Sequence, residues 1–390
     1  MKFRVERDVF AEAVAWAARS LPVRPPVPVL AGLLLEVSES PAALALSSFD
    51  YEVSANAQIE ISAAEPGRVL VSGRLLAEIS RSLPALPVDV SVDGARVVVA
   101  CGSTRFTLPT LPVDDYPALP EMPATAGSIG ADVFAAAVGQ VAIAAGRDDT
   151  LPVLTGVRIE IEDDRVTLAA TDRYRLAVRE LQWQPERSGI SVVALVPART
   201  LADTAKALVG GAQVTVSLST GGAGEGLIGF SGRGATGQIG QRRTTTRLLD
   251  GEYVKYRSLL PDDSSANALV ETAGLIEAVK RVSLVAPRST PVRLTFSDDQ
   301  VTLEAGTNDD AQALESLDAK FVSRDGSTEE FSIAFNPAYL LDGLNAVESE
   351  TTRIDFTSPT KPAVLRGSKD ADESATVDYR YLLMPVRLSG

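Results

Sequence analysis

The chain has 390 residues, 45% hydrophobic and 23% charged, with a mean hydropathy of +0.09. One core does not organise so long a chain, so two or three globular domains of roughly 100–200 residues each are expected. A formal net charge of −14 excludes a protein that coats nucleic acid with its whole surface. The absence of histidine removes the usual general base and the commonest metal ligand.

The opening Met1–Asp8 lacks the apolar run and cleavage site of a signal peptide, so a cytoplasmic protein is expected. It reads as a strand leading into a helix, with Phe10, Val14 and Ala17 at helical spacing. Val29–Val37 and Leu44–Val53 read as a strand pair; the apolar stretch Ala31–Leu35 inside the first is far shorter than the ~18 residues of a membrane span. A second helix follows over Gly73–Leu83. Val88–Val99 then alternates apolar and polar residues around an Asp93-Gly94 hairpin signal. The lone Cys101 reads as a small buried strand residue, which leaves no intrachain disulfide and no thiolate-clustered zinc site. Val113–Pro120 marks a linker.

The pattern then starts again. Phe134, Val138 and Val141 give an amphipathic helix, and Val153–Ile161 echoes Val29–Val37 at an offset of 124 residues, counted from Val29 to Val153. Val166–Leu176 echoes the second strand, with Asp172 falling 122 residues after Asp50. A helix over Pro197–Leu208 and a linker over Asp250–Pro261 complete the second copy. The third is weaker: Leu275, Ile276, Val279 and Val282 on a helix, strands over Pro291–Phe296 and Val301–Asp309, and a helix over Asn336–Val347. The reading is an α+β fold of three tandem helix-strands-helix-strands units over residues 1–120, 127–255 and 265–390.

Signals that resemble catalysis have simpler readings. Two dinucleotide-type matches, Gly224–Gly229 and Gly232–Gly237, are followed by the strand-like Gln238–Leu248 and not by the helix that a phosphate cradle needs, so they read as hairpin turns. Aspartate pairs at 114–115, 148–149, 163–164, 262–263, 298–299 and 309–310 flank turns or linkers, where aspartate suits the backbone and stays hydrated. With no Gly-Lys dipeptide there is no P-loop. Neither a catalytic residue, a metal nor a cofactor is expected.

Three copies in an acidic chain, together with Met1-Lys2-Phe3, Arg24-Pro25, Pro28-Val29-Leu30, Thr171–Leu176, Asp250–Tyr253 and the tail Tyr379–Leu388, closely resemble the bacterial DNA polymerase III beta subunit family along essentially the whole chain. The resemblance implies a non-enzymatic sliding clamp and processivity factor. It would be a head-to-tail homodimer whose six domains form a ring around duplex DNA, with helices lining the hole and sheets outside. Lining cations would make sequence-blind phosphate contacts. Arg24, Arg147 and Arg288 lie at one repeat position, and Arg74, Arg81, Arg199 and Lys206 lie on second helices; the third second-helix lacks such residues. Phe106, Leu108 and Leu284 are the expected dimer contacts.

The resemblance further implies a peptide pocket between the second and third domains. Its matching positions are Leu154, Thr171, Arg173, Tyr174, Arg175, Leu176, Val254, Leu259, Tyr339, Pro362, Leu382, Leu383, Met384, Pro385, Val386 and Arg387. Apolar and methionine side chains there form an adaptable wall, with threonine and arginine to fix a peptide backbone. Implied partners are the replicative polymerase catalytic subunit, a clamp loader, and other polymerases and repair proteins carrying clamp-binding peptides. Three alternatives stay open: a carboxylate-dependent hydrolase, a peptide-binding scaffold of the same fold that does not encircle DNA, and a second clamp copy with altered ligand or inhibitor sensitivity.

Overall fold

A computed structural model describes residues 1–219, 226–233, 240–261, 263–286, 290–297, 299–306, 311–326, 329–368 and 378–387. Arg288, residues 224–225 of the first glycine-rich match, residues 234–237 of the second and the Asp309-Asp310 pair lie outside the described residues. No described helix is long and apolar enough to cross a membrane.

The first repeat runs β1 (Lys2–Val5), α1 (Arg7–Ala17), β2 (Gly32–Glu39), β3 (Ala42–Phe49), β4 (Val53–Glu60), β5 (Ser62–Glu65), β6 (Gly67–Ser72), α2 (Gly73–Ser82), β7 (Val88–Asp93), β8 (Arg96–Cys101) and β9 (Thr104–Leu111). The second runs β10 (Thr125–Gly130), α3 (Ala131–Ala142), β11 (Gly156–Glu162), β12 (Arg165–Thr171), β13 (Arg175–Gln182), β14 (Gln184–Pro185), β15 (Ser191–Pro197), α4 (Ala198–Ala207), β16 (Gln213–Leu218), β17 (Leu227–Arg233) and β18 (Gln241–Arg247). The third runs β19 (Ala266–Glu271), α5 (Thr272–Val282), β20 (Val292–Ser297), β21 (Gln300–Gly306), β22 (Gln312–Ser323), β23 (Phe331–Phe335), α6 (Pro337–Ala346), β24 (Thr351–Phe356), β25 (Ala363–Ser368) and β26 (Tyr379–Leu383). The six α-helices among the described residues stand where periodicity placed them, because each turns one apolar stripe inward: Phe10, Ala13, Val14 and Ala17 on α1, and Leu275, Ala278, Val279 and Val282 on α5 are all buried.

The compact units are not the repeats. Packing divides the chain into one unit of residues 1–136, 162–164 and 182–250, and another of 137–161, 165–181 and 251–390, so the second repeat is shared between them. Unit one holds a continuous sheet in the order β14-β10-β16-β17-β18-β4-β3-β2-β6-β9-β8-β7-β1-β5. The first two repeats join in it through antiparallel β18 and β4, in the register Thr246↔Val53. In unit two the order is β11-β12-β13-β26-β25-β24-β19-β22-β21-β20-β23. There β13 and β26 join the second repeat to the third, in the register Arg175↔Leu383. Strand β26 is therefore a central strand, paired on one side with β13 and on the other with β25.

Cys101 is 1% exposed, as its strand context indicates. The glycine-rich reading needs correction in its described part: Gly229 and Gly232 lie inside β17, not in a turn. A Cβ at Gly229 would stand 2.4 Å from the Met122 sulfur, so close packing, not a turn, requires glycine there. Leu108 is 1% exposed and faces the core of its own unit, so in the free chain it offers no surface contact; Phe106 is half-buried and Leu284 is 85% exposed.

Candidate functional site

The turn between β12 and β13 is the centre of the site. Asp172 Oδ1 accepts hydrogen bonds from the N–H groups of Tyr174 (3.0 Å) and Arg175 (3.1 Å), the local pattern that short aspartate side chains favour. Thr171 Oγ1 donates to the Arg175 carbonyl (2.6 Å) and accepts from the Arg173 N–H (3.2 Å). These bonds hold Arg173 at φ +81°, a left-handed conformation that costs a non-glycine residue of order 1 kcal/mol. The result is a tip that pushes Arg173 and Tyr174 outward, with Tyr174 55% exposed.

Arg175 turns the other way. Its side chain is 5% exposed. Nε donates to Asp172 Oδ2 (2.9 Å), and Nη1 donates to Asp342 Oδ2 (2.5 Å) and to the Tyr381 hydroxyl (3.4 Å). The guanidinium carbon lies 4.3 Å from the Tyr339 ring centroid. Burial by itself lowers the pKa of Arg175, but Tyr381, Asp342 and Asp172 outweigh it and raise the pKa, so the side chain stays a cation. Burial likewise pushes the Tyr381 phenol up, and its hydroxyl donates to the Tyr339 carbonyl at 2.8 Å.

Helix α6 supplies the facing wall. Asn336 starts it, its Oδ1 accepting from the N–H groups of Ala338 (2.9 Å) and Tyr339 (3.3 Å), with Pro337 in the first turn. That cap fixes Tyr339 one turn in, where its ring stacks on Tyr174 at 6.3 Å and 25°. Further along, a Cβ at Gly343 would stand 2.5 Å from the Tyr381 ring, so only glycine lets the helix lie this close.

A loop after α3 closes the third side. Gly146 N–H donates to the Leu154 carbonyl (2.7 Å), and Asp148 Oδ1 accepts from the Thr150 hydroxyl (2.6 Å) and N–H (3.0 Å). Those two bonds from Thr150 hold the Asp148 carboxyl below the usual range. Arg147, Leu151 and Leu154 then line, with Arg173, Tyr174 and Tyr339, a cavity of about 580 Å³. Asp148, Asp172, Arg175 and Asp342 line it as well, so aromatic and aliphatic surface is joined there to cations and carboxylates that can orient a ligand.

Beyond the tip, the Met384 N–H donates to the Tyr174 carbonyl (2.9 Å) and carries the β26 ladder one residue further. Met384 is 39% exposed, Val386 37%, Val254 38% and Leu259 50%. The linker bearing Val254 and Leu259 is pinned by Glu160, which accepts from Arg158 (2.6 Å), the Tyr256 hydroxyl (2.7 Å) and Arg257 (2.5 Å). Burial acts to raise the Glu160 pKa, but these donors outweigh it and lower the value.

The residues singled out from sequence thus separate. Leu154, Arg173, Tyr174, Arg175 and Tyr339 line the cavity. Thr171, Leu176, Leu382 and Leu383 are buried supports. Val254, Leu259, Pro362, Met384, Pro385, Val386 and Arg387 are not among its lining residues. Arg147, expected among the DNA contacts, also lines the cavity. It passed over Asp342, whose signal was its position three residues after Tyr339 on one helix face. Arg24, Arg74, Arg81, Arg199 and Lys206 are all exposed. Arg74 and Arg81 occupy the second and ninth positions of α2, and Arg199 and Lys206 the same positions of α4. On α6 those positions hold Ala338 and Asn345.

Comparison with known proteins agrees with this architecture. Three family models match in succession: the N-terminal domain of the DNA polymerase III beta subunit over residues 1–120, its central domain over 128–255 and its C-terminal domain over 257–387. The beta sliding clamp of Streptomyces coelicolor is 62% identical over 390 residues, covering 100% of both chains. The beta sliding clamp homolog GriR of Streptomyces muensis is 44% identical over 387 residues, 99% of each chain. Among solved structures, the sliding clamp of Pseudomonas aeruginosa bound to griselimycin matches with a TM-score of 0.87 at 25% identity, covering 100% of both chains. The Bacillus subtilis clamp matches at 0.85 and 25%, also with full coverage. The chain belongs to the DNA polymerase III beta subunit family, with the three-domain fold of the beta sliding clamps.

Proposed function

We propose that this clamp, a non-catalytic processivity factor, closes as a head-to-tail homodimer around duplex DNA and tethers the replicative polymerase through the cavity beside Tyr174 and Tyr339. The observation that carries the reading is that cavity: a strained turn of one repeat set against the capped helix of the next, with the apolar strand end at Met384 beside it. The chain divides functionally into domains 1–120, 127–255 and 265–390. Leu154, Arg173, Tyr174 and Tyr339 receive the peptide, Arg147 joins them, and Val254, Leu259, Pro362, Met384, Pro385, Val386 and Arg387 extend the groove. Thr171, Arg175, Leu176, Leu382 and Leu383 hold it in shape.

Two further observations support closure around DNA. Cations at matching positions of α2 and α4 give each helix one basic face, suited to hydrated phosphate contacts that carry no sequence preference. Among the described residues, Thr104–Pro109 of β9 and Ala313–Asp318 of β22 each pair with a strand on one side only, and edges of this length call for a partner strand. Exposed Leu314 (70%) and Leu284 (85%) supply apolar surface on the third repeat, and Phe106 supplies it on β9. A clamp loader would open and close the ring in the cytoplasm, and repair polymerases with similar peptides would share the pocket. Retention on nicked circular DNA tests the reading. The loaded protein should stay on the circle and leave once the DNA is linearised; equal retention on both forms would contradict encirclement.

A further inference from the structure

The repeats place a counterpart of the peptide site within unit one. Asp50 Oδ1 accepts from the N–H groups of Glu52 (3.0 Å) and Val53 (2.7 Å), as Asp172 does for Tyr174 and Arg175. Tyr51 stands at φ +76° where Arg173 stands at +81°. Arg247 N–H donates to the Glu52 carbonyl (2.9 Å), as Met384 N–H donates to that of Tyr174 (2.9 Å). Following the ladders outward, Thr246 pairs with Val53 and Ile228, while Leu383 pairs with Arg175 and Ala363. Leu227 therefore answers to Pro362, Arg247 to Met384 and Phe49 to Thr171.

Phe49, Tyr51, Leu227 and Arg247 line, with Pro120, a cavity of about 290 Å³; of their counterparts only Arg173 lines the 580 Å³ cavity, so this one answers to the tail side of the groove, where Pro362 and Met384 extend it. Phe49 and Tyr51 meet edge to face at 5.6 Å, and Tyr51 is 46% exposed. Arg247 Nε is held by the Tyr51 carbonyl at 3.1 Å, and no carboxylate is among the described residues that line the cavity. An apolar wall with one fixed guanidinium at its mouth suits a side chain such as leucine or phenylalanine beside a carboxylate. Duplex DNA brings the charge but no apolar group for the wall.

We infer that the junction of the first two repeats is a second docking site, for an acidic linear peptide whose apolar side chain enters between Tyr51 and Leu227 while its carboxylate meets Arg247. The ligand class rests on the reading proposed for the junction of the second and third repeats.

Calorimetric titration of the full chain with two synthetic peptides, acetyl-Gly-Glu-Leu-Phe-Glu-amide and its lysine-for-glutamate counterpart, tests this. Two sites per chain are expected for the acidic peptide. Arg247→Glu should weaken one by about tenfold or more while Met384→Ala weakens only the other. The lysine peptide should lose a similar factor at the Arg247 site alone. If Arg247→Glu lowers the melting temperature, Arg247→Gln is read in its place and should weaken the same site by a smaller factor. Binding that survives Met384→Ala and disappears with Arg247→Glu upholds the inference and removes the other pocket. A single site insensitive to Arg247, equal binding of both peptides, or displacement of the acidic peptide by a 20-base-pair duplex would overturn it.

Discussion

The two junctions share one backbone and place their buried cation differently. Between the second and third repeats, the cation is Arg175 at the turn, tied to Asp172 and Asp342 beneath Tyr339, while behind it the Tyr379 hydroxyl donates to the Gln140 carbonyl at 3.2 Å. Between the first and second, the turn carries Val53, and the cation is Arg242 at the position answering to Tyr379. Arg242 pairs with Glu12, lies over the Trp16 ring at 5.4 Å and donates to the Ala207 carbonyl at 3.0 Å. A buried charge needs partners wherever it stands, so each repeat pair builds one such network. Placing it at the turn organises a pocket mouth; placing it behind the turn only ties strand to helix. The two ladders match in register, and the buried charge stands at a different position in each.

Substitutions can break this contrast. The largest effect is expected for Arg175→Ala, which strands Asp172 and releases α6: about 3 kcal/mol of stability by urea unfolding, with loss of peptide binding. Val53→Ala at the matching position should cost about 1 kcal/mol or less. Next comes Gly343→Ala, whose methyl group would collide with Tyr381, at about 2 kcal/mol. The matching Thr204 of α4 already carries a side chain, so Thr204→Ala should cost clearly less.

Glu160→Gln should cost roughly 1.5 kcal/mol at neutral pH by weakening charge-assisted bonds to Arg158 and Arg257. The folded pKa of Glu160 is depressed below the unfolded value of about 4.3, so its contribution is complete above that value. The contribution is lost as pH falls through the folded pKa. Unfolding curves of the two proteins should therefore converge in acid. The smallest effect is Asn336→Ala, about 1 kcal/mol through loss of the α6 cap. Helix α4 begins at Pro197 with no side-chain cap and has no equivalent loss.

How far the sequence could be read follows from what each feature depends on. Helices and the repeat were legible because 3.6-residue periodicity and a 124-residue echo are local patterns, as Val29 and Val153 illustrate. Tyr174 and Arg175 were legible through the family motif around Asp172. What stayed hidden depends on pairing between distant segments. Nothing local in Asp342 announces Arg175, and nothing around Arg147 places it on a cavity wall until Gly146 is bonded to Leu154. Leu108 alternates like a surface strand residue, and only the packing of unit one buries it. The shared second repeat was equally invisible, since compactness is set by β18–β4 and β13–β26 and not by the echo.

The turn-and-tail pocket of the second junction is tested most directly by the affinity of the purified replicative polymerase catalytic subunit for Met384→Ala compared with the unsubstituted clamp. A fall of about tenfold or more, with the sedimentation coefficient unchanged, is the predicted result. Equal affinity of the two proteins would contradict it.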